Sequence, residues 1–582
     1  MRLSLILGVL LLLLTDTQHS VAQSDDVVTP ESLRATRARL EQVFQTHLGR
    51  QLDCLRPNRG NTWFFLPYDR FDAGDDAAAQ KLTRQFSNRL LQLAQKSVST
   101  DAALAYQLLY QALYFGDATV AAKVVGAQSV APQATLSLSA HPRLGWRRKS
   151  FYRIRTEHFQ IVTRDEVAGL EIAERLETLY AVWGQLFFRC WSDSSRLARA
   201  IDRRKPLLPA IKSRRLLRVV MFANRDEYNE FLQPRNARIG ITLGFYEPAE
   251  QTSYFFAGED SSVSNQLHEV THQLFQEVQS PVAPALQMQQ NFWAIEGVAM
   301  FMESLQRRGP VASVGGPTAD RLQFARYRGL QEQFMVPLAE LVGLGRIQLQ
   351  QDERIRRIYS QSAGLSHFFM NGQQRRYRDA FIDYLQRIYR AGDRKDSLAK
   401  ATNSTYETLD AEYLTYLNVT DTDLQEAQVL PNSLRSLCLG KTKVTDEGLR
   451  HVGSQSELDW LDLTGTAVTD SGVKFLGSSR NLRQVSLDRT QVTDAIISWL
   501  ADCAQLEELD LSNTSLTDEG VRQLGRHHSL KVLWLTNTAI TDQSVATLSK
   551  LSSLEFLSVD GTGISDQARQ KLQQQLPNVR FE

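Results

Sequence analysis

The chain has 582 residues, of which 42% are hydrophobic and 23% are charged, so it can form about three to four domains with large hydrophobic cores. Its 66 basic residues balance 65 acidic ones, which argues against nucleic acid or an anionic membrane surface as the main partner. Only four cysteines occur, at positions 54, 190, 438 and 503, which excludes a scaffold built from disulfides and leaves Cys54 with Cys190 as the one pairing to test.

The N-terminal residues predict a signal peptide over 1–22. Arg2 precedes an uncharged apolar run at 3–14, and Ser20-Val21-Ala22 has the small-x-small form of a signal-peptidase site. We therefore expect cleavage before Gln23 and export to the periplasm, the extracellular space or the cell surface. No later stretch reaches the roughly 18 apolar residues of a membrane helix, so no transmembrane span is expected after cleavage. The alternative is an uncleaved N-terminal anchor.

Residues 23–149 predict a mostly helical N-terminal region, because apolar residues recur at helical spacing over 33–48, 82–93 and 102–115. A break at Gly116-Asp117, followed by 118–125, is typical of a helix hairpin of the tetratricopeptide sort, although such repeats need neighbours to bury their faces. A helical domain or a pro-segment that covers part of the next domain is the simpler interpretation.

Residues 150–420 predict an α+β domain. From the residue pattern we expect an amphipathic helix at 167–188, a charged surface loop at 196–215, and helices over 319–416.

Within this domain, residues 268–272 read His-Glu-Val-Thr-His. Residues four apart lie on one helix face, so His268 and His272 can point imidazole nitrogens at one metal ion while Glu269 faces the same cleft. Catalytic zinc usually takes three protein ligands and leaves a fourth position to water. Glu296 is the candidate third ligand, because it shares a helical face with Glu303 in an otherwise apolar run. The alternative is a helix whose histidines are merely solvated or capped.

This motif, followed by Trp293-x-x-Glu296-Gly297-x-Ala299-x-x-x-Glu303, resembles the gluzincin metallopeptidases, most closely the bacterial peptidase MA-like group. The resemblance implies a zincin-like catalytic domain with Zn²⁺ as its cofactor. Residues 156–162, 217–222, 244–246 and 252–256 resemble the strands of that domain.

The same resemblance assigns roles to individual residues. It implies that His268, His272 and Glu296 bind zinc, and that Glu269 is the general base for a zinc-activated water. It also implies that Tyr359 steadies the oxyanion. The segment 252–257 is expected to be a strand with a free edge beside the metal-binding helix, where an extended peptide substrate can pair.

The C-terminal part, over 430–582, predicts a leucine-rich-repeat solenoid of the α/β class. Leucine recurs every 24 residues at 434, 458, 482, 506, 530 and 554, and threonine recurs with the same step at 442, 466, 490, 514, 538 and 562. We expect the threonine to hydrogen-bond the turn of each of six repeats, and the following Thr-Asp pair to cap the helical half. A polar linker is expected around 421–428.

On the concave side of this solenoid, the outward-facing strand positions carry Trp460, Trp534 and Phe556 among acidic residues. Exposed aromatic residues of this kind are typical of an interface, which predicts binding of a protein partner or substrate.

Two functions are compatible with this multidomain organisation. The first is an exported zinc peptidase whose repeats bind a partner or the substrate. The second is a non-catalytic scaffold or adhesion protein with a degenerate zincin-like domain. The sequence favours the first, because Glu269 is present together with all three candidate ligands.

Overall fold

The computed structural model of the protein describes residues 61–68, 70–71, 77–116, 119–126, 132–207, 209, 216–234, 239–258, 261–278, 289–427, 433–477 and 479–582. The signal peptide at 1–22, the helix expected at 33–48 and Cys54 lie outside these residues, so export and the pairing of Cys54 with Cys190 stay predictions. Among the described residues, none of the helices has both the length and the hydrophobicity needed to cross a bilayer.

The helices and strands that precede the repeats follow one another in a mixed order. They are β1 (Asn61–Phe65), α1 (Ala77–Ser97), α2 (Ala102–Phe115), α3 (Thr119–Val125), β2 (Gln133–Leu136), β3 (Tyr152–Arg155), β4 (Phe159–Thr163), α4 (Glu166–Leu186), α5 (Phe188–Trp191), α6 (Ser194–Arg203), β5 (Leu217–Phe222), α7 (Arg225–Leu232), a 3₁₀ turn (Ile239–Ile241), β6 (Phe245–Glu247), β7 (Thr252–Phe256), α8 (Val263–Val278), α9 (Phe292–Met302), β8 (Gln306–Arg308), β9 (Val311–Gly315), α10 (Asp320–Arg326), a π-helical turn (Tyr327–Gln331), α11 (Leu338–Leu341), α12 (Arg346–Gln351), α13 (Ile355–Arg375), α14 (Arg378–Tyr389), α15 (Ser397–Thr402) and α16 (Tyr406–Leu417).

The described residues form two compact units, one with 70–127 and 193–207, the other with 57–69, 128–192 and 208–582. The first unit is helical, and its α1 and α2 confirm the helices expected from the sequence. The charged loop expected at 196–215 is wrong in its first part. There the Asp193 carboxylate accepts a hydrogen bond from the backbone nitrogen of Arg196 at 2.8 Å and begins α6.

The second unit contains a six-stranded sheet in the order β2-β3-β4-β5-β7-β6. Its central strands β4, β5 and β7 run parallel to one another. They consist mainly of apolar residues, as in Leu217–Phe222, because a strand covered on both faces needs apolar side chains on both. The sheet also includes β2, so the α+β fold begins before residue 150, within the region expected to be helical.

The free strand edge expected at 252–257 is wrong. The strand β7 pairs with β5 on one side and with β6 on the other, and all five of its residues are buried. A turn from Pro248 to Gln251, closed by a backbone hydrogen bond of 3.3 Å, reverses the chain and lays β6 against β7. The edge of the sheet on this side is therefore β6.

Helices follow the sheet and carry the metal-binding motif. The helix α9 packs against α8 and against α13, which has a break at Gly372–Gln374. A smaller sheet of β1, β9 and β8 lies beside α9 and α13.

The repeats add a parallel sheet and a row of short helices to the second unit. Their elements are α17 (Asp421–Ala427), β10 (Ser436–Cys438), α18 (Asp446–Val452), β11 (Trp460–Asp462), α19 (Asp470–Lys474), β12 (Gln484–Ser486), α20 (Ala495–Leu500), β13 (Glu508–Asp510), α21 (Asp518–Leu524), β14 (Val532–Trp534), a 3₁₀ turn (Asp542–Ser544), α22 (Val545–Leu548), β15 (Phe556–Ser558), α23 (Asp566–Gln575) and β16 (Arg580–Phe581).

The seven strands of this sheet pair in sequence order, and each residue of β10 lies beside the residue 24 positions later, as Leu437 beside Leu461. The repeat period read from the sequence is confirmed. The turn-forming role of the threonines is confirmed too, because the Thr442 hydroxyl donates to the Leu439 carbonyl at 2.6 Å and the other five threonines repeat the bond.

The aspartate of each Thr-Asp pair links neighbouring repeats. Asp446 accepts hydrogen bonds from the backbone nitrogen and the hydroxyl of Thr469, at 2.8 and 2.7 Å. The same pair of bonds joins Asp421 to Thr445, Asp470 to Thr493, Asp494 to Thr517, Asp518 to Thr541 and Asp542 to Ser565. Gly472 leaves room for this contact, because a Cβ there would lie 2.1 Å from an oxygen of Asp446.

The polar linker expected around 421–428 is wrong over its described part. Val419-Thr420-Asp421 repeats the motif Val444-Thr445-Asp446, and the helix α17 that follows packs against α18. Val419 and Leu424 are buried in the hydrophobic core of the repeats. The solenoid therefore begins at Val419, 15 residues before Leu434, the first leucine of the pattern.

We expect Asp446→Ala to destabilise the repeats by about 1.5–3 kcal/mol, because it removes two hydrogen bonds to a charged acceptor. Hydrogen exchange of the backbone amides in β10 to β12 measures this loss.

Asp566 provides the matched control, since it occupies the same position in the Ser565-Asp566 pair and is followed, within residues 567–582, by β16 without a further Thr/Ser-Asp pair. Both substitutions remove an acidic residue from the first turn of a helix. Equal destabilisation by Asp446→Ala and Asp566→Ala would show that the link between repeats contributes nothing.

Candidate metal centre

Two helices bring the candidate ligands together. The helix α8 buries Leu267, Val270 and Leu274 on its apolar side, which turns His268 and His272 toward α9. Apart from Glu296, the residues of α9 are apolar or glycine. The Glu296 carboxylate is therefore the charged group that α9 presents to the histidines.

The three ligand atoms have the spacing that one zinc ion requires. The Nε2 atoms of His268 and His272 are 3.1 Å apart, and the carboxylate oxygens of Glu296 lie 3.5 and 3.6 Å from them. Ligands about 2.0–2.1 Å from a tetrahedral zinc ion are roughly 3.4 Å from one another. Two imidazole nitrogens and a carboxylate oxygen are also a ligand set that zinc accepts at catalytic sites. The residues therefore fit the ion.

Glu303 orients the first ligand. Its Oε1 lies 2.8 Å from Nδ1 of His268, so this nitrogen carries a proton and Nε2 is directed at the metal position. Burial lowers the pKa of His268, but the hydrogen bonds that its ring donates to Glu296 and Glu303 outweigh burial and raise that pKa to about 10. Nε2 of His268 must therefore lose its proton to bind a metal ion. Burial lowers the pKa of His272 to about 4, so His272 is in the neutral form that binds metal.

Arg321 in turn holds Glu303. Its Nε donates to Oε2 of Glu303 at 2.7 Å, and a second nitrogen donates to Oε1 at 3.3 Å. The Glu303 side chain is only 5% exposed. The sequence places Glu303 on the ligand face of α9 but does not indicate Arg321, because the contact forms between two separate helices.

Glu269 lies beside the ligand set but has a different partner. Its Oε2 accepts a hydrogen bond from the backbone nitrogen of Tyr246 on β6 at 2.9 Å. Burial, together with the carboxylates of Glu296 and Glu303, raises the pKa of Glu269. A carboxylate with a raised pKa and no ligand contact is suited to proton transfer.

Tyr359 on α13 is brought to the same site. Burial and the neighbouring Glu296 carboxylate raise the pKa of Tyr359, so its hydroxyl keeps its proton and can donate a hydrogen bond. Gly297 permits this approach of α13 to α9, because a Cβ there would lie 2.5 Å from the carbonyl oxygen of Ser362.

Arg346 is a site residue that sequence reasoning missed. The exposed guanidinium acts electrostatically on His272, Glu296 and Tyr359, and it lies over the ring of Phe292 at 6.0 Å. No motif spacing connects Arg346 to the ligands, since it reaches the site from α12.

The three aromatic residues expected to bind a partner have different surroundings. Trp460 lies against Phe324 and Tyr327 of the same chain, with ring centroids 5.3 and 5.2 Å away. Phe556 is only 7% exposed, between Trp534 and a guanidinium from β16. The structure therefore leaves Trp534 as the candidate contact residue, with Phe556 supporting it.

Comparison with known protein families identifies leucine-rich repeats in the chain. The family described as Leucine Rich repeat matches residues 503–525. No curated protein matches the chain.

Similar solved structures include internalin C2 of Listeria monocytogenes, with 24% identity over 28% of this chain and 73% of that protein, at a TM-score of 0.20. A second internalin of that organism has 24% identity over 28% of this chain and 49% of that internalin, with a TM-score of 0.21. A leucine-rich-repeat protein of Leptospira interrogans has 21% identity over 28% of this chain and 38% of that protein, also with a TM-score of 0.21. The matched part spans less than half the length of the last two proteins.

We expect the purified chain to bind one zinc ion and His272→Ala to bind none in stoichiometric amount, because the variant leaves two ligands. Elemental analysis of the dialysed protein measures this directly. His451→Ala, on the repeat helix α18, is the control and should keep the metal. One zinc ion per chain in the His272 variant would show that the ion binds elsewhere.

Proposed function

We propose that the chain is an exported zinc peptidase of the gluzincin type whose leucine-rich repeats bind the protein substrate or a protein partner. The observation that carries the proposal is the set of three ligand atoms of His268, His272 and Glu296, all within 4.8 Å of one another, with Glu269 beside them but bonded to the backbone of β6. This arrangement separates the ligands from the proton-transfer group.

His268, His272 and Glu296 would hold the zinc ion, which would lower the pKa of a water molecule to about 7 and polarise a carbonyl group. Glu269 accepts a proton from the attacking water and delivers it to the leaving amine of the peptide bond. Its raised pKa favours both steps, because a carboxylate with a higher pKa is a stronger base for the water proton. Tyr359, which stays protonated, donates to the oxyanion that forms as the water attacks.

The edge strand β6 replaces the segment 252–257 as the proposed binding strand for substrate. It is the last strand of the six-stranded sheet in the described part of the chain, and the nitrogen of its Tyr246 donates to Glu269. An extended peptide that pairs with β6 passes directly beside the general base. Arg346 adds an exposed positive charge next to Tyr359, where it can attract a carbonyl or carboxylate oxygen of the substrate.

The repeats contribute a surface for protein binding, as leucine-rich repeats commonly do on their concave side. Trp534 lies there with Glu508 and Asp510 on the neighbouring strand, and Asp510 is directly beside it in the sheet. Because Trp460 contacts the metal-binding domain, the proposed binding surface is restricted to the later repeats.

We expect Glu269→Gln to keep zinc and to lose roughly 10²- to 10⁴-fold in turnover of an unfolded protein substrate, because glutamine cannot accept the proton. Tyr359→Phe should lose less, and Tyr377→Phe, which removes a similar buried hydroxyl that donates to Glu412, should change little.

The same experiment distinguishes the peptidase from a non-catalytic scaffold. A scaffold with a degenerate site predicts zinc without hydrolysis in the wild type and in both variants. Full turnover in Glu269→Gln would instead remove this residue from the mechanism.

We expect Trp534→Ala to weaken binding of an unfolded protein substrate by about 2 kcal/mol, roughly a 30-fold rise in KM, if this tryptophan is an anchor of the interface. Hydrolysis of a short peptide, which does not reach the repeats, should be unaffected. Gln484→Ala, also on the concave face, is the matched control. Unchanged kinetics on the protein substrate would place its binding surface outside these repeats.

A further inference from the structure

We propose that Arg321 is a positioning residue of the metal centre and that the first leucine-rich repeat holds Arg321 in place. This proposal rests on the zinc-binding part of the proposed function. It makes the geometry of the metal centre depend on the leucine-rich repeats.

Hydrogen bonds connect the candidate ligand His268 to Arg321 through Glu303. His268 is oriented by Glu303, and Arg321 binds both oxygens of that carboxylate. A carboxylate held by one histidine can rotate about its side-chain bonds, whereas two N–H donors of a guanidinium fix its plane. Arg321 therefore restricts the orientation of Glu303 and, through it, of His268.

Packing alone does not restrain these two side chains. A cavity of about 150 Å³ is lined by Glu303 and Arg321, together with His367 from α13 and Leu434 from the first repeat. Side chains that border an open space lack close neighbours on that side. Their hydrogen bonds therefore set their positions.

The helix that carries Arg321 is bonded to the first strand of the repeats. Arg321 lies on α10, which ends at Arg326, and the Arg326 side chain is fully buried. One of its nitrogens donates to the backbone carbonyl oxygen of Cys438 at 2.8 Å, and the side-chain Oε1 of Gln323 accepts from the Cys438 backbone nitrogen at 2.8 Å. Both backbone groups of Cys438 are thus bound by α10.

This contact has a clear physical reason. The strand β10 is the first of a parallel sheet, so one of its edges has no neighbouring strand. Unpaired backbone groups at a buried edge are costly, and the side chains of α10 satisfy them. The solenoid therefore needs α10 as a cover for its first strand, and α10 is fixed by the solenoid in return.

A second face of α10 and of the turn that follows it also contacts the repeats. Phe324 and Tyr327 pack on the ring of Trp460, and Gln331 donates to the Asp462 carboxylate at 3.4 Å. Residues three apart lie on one side of a helix, so Gln323 with Arg326 face β10 while Phe324 with Tyr327 face Trp460. Loss of the repeats would release both of these faces and leave α10 held mainly by its contact with α13.

The test is the zinc dissociation constant of the full chain, measured by competition with a chelating dye, beside the thermal unfolding of the metal-free protein. Arg321→Gln should bind zinc about 10- to 100-fold more weakly, which is the usual effect of removing an outer partner of a metal ligand. The zinc affinity of Arg321→Lys should lie between those of the wild type and Arg321→Gln, because an ammonium keeps the charge but cannot match the two-bond geometry. In a Glu303→Gln background, Arg321→Gln should add no further loss, because its partner carboxylate is already gone.

Arg189→Gln is the matched control. Arg189 makes a similar two-bond pair with Asp383, at 3.1 and 2.8 Å, on helices that carry none of the proposed ligands. Trp460→Ala tests the contact of α10 with the repeats, and we expect it to weaken zinc binding although this residue lies in the repeats.

The inference is overturned if Arg321→Gln and Arg321→Lys bind zinc as tightly as the wild type, or if Arg189→Gln weakens binding equally. Wild-type zinc affinity in Trp460→Ala would overturn the role of the repeat while leaving that of Arg321. Absence of zinc from the wild-type chain would be a different outcome, since it rejects the metal centre itself.

Discussion

The hydrogen bond between Nδ1 of His268 and Glu303 connects the chemistry of this protein to its architecture. On one side it directs Nε2 of His268 toward the shared position of the three ligand atoms. On the other side it fixes a nearly buried carboxylate that needs its own partner, which Arg321 supplies from α10. Because α10 also closes the first strand of the repeats, the ligand geometry and the repeat array depend on one short helix.

The repeats are therefore more than an appended binding module. Their first strand is covered by α10 and their N-terminal end by α17, while each repeat is linked to the next by an aspartate. These contacts between neighbours make the array stiff along its length. In the proposed peptidase, a protein bound at the later repeats would be held at a fixed position relative to β6.

Much of the site and of the repeats could be predicted because the relevant patterns are local or periodic. The spacing of His268 and His272 is one helical turn, and the repeat period of 24 residues appears directly in the leucines and threonines. Arg321, Arg346 and the Tyr246 nitrogen reach the site only through tertiary packing, so no spacing indicates them.

The predictions that were wrong also concern contacts between parts of the chain that are distant in sequence. Alternation of residues identifies a strand but not its neighbours, so the edge was assigned to 252–257 instead of β6. Likewise, strand alternation places Trp460 on the concave face but does not show that Phe324 covers it. Residues 421–428 are polar and no leucine-rich strand precedes them, so the sequence alone predicts a linker there.

X-ray absorption spectroscopy of the zinc-loaded chain tests the central claim most directly. The account predicts only nitrogen and oxygen neighbours at about 2.0–2.2 Å, with the multiple-scattering signature of two imidazole rings. The four cysteines of the chain offer the competing ligands. A sulfur neighbour at about 2.3 Å, or a shell without imidazole, would contradict a metal centre built from His268, His272 and Glu296.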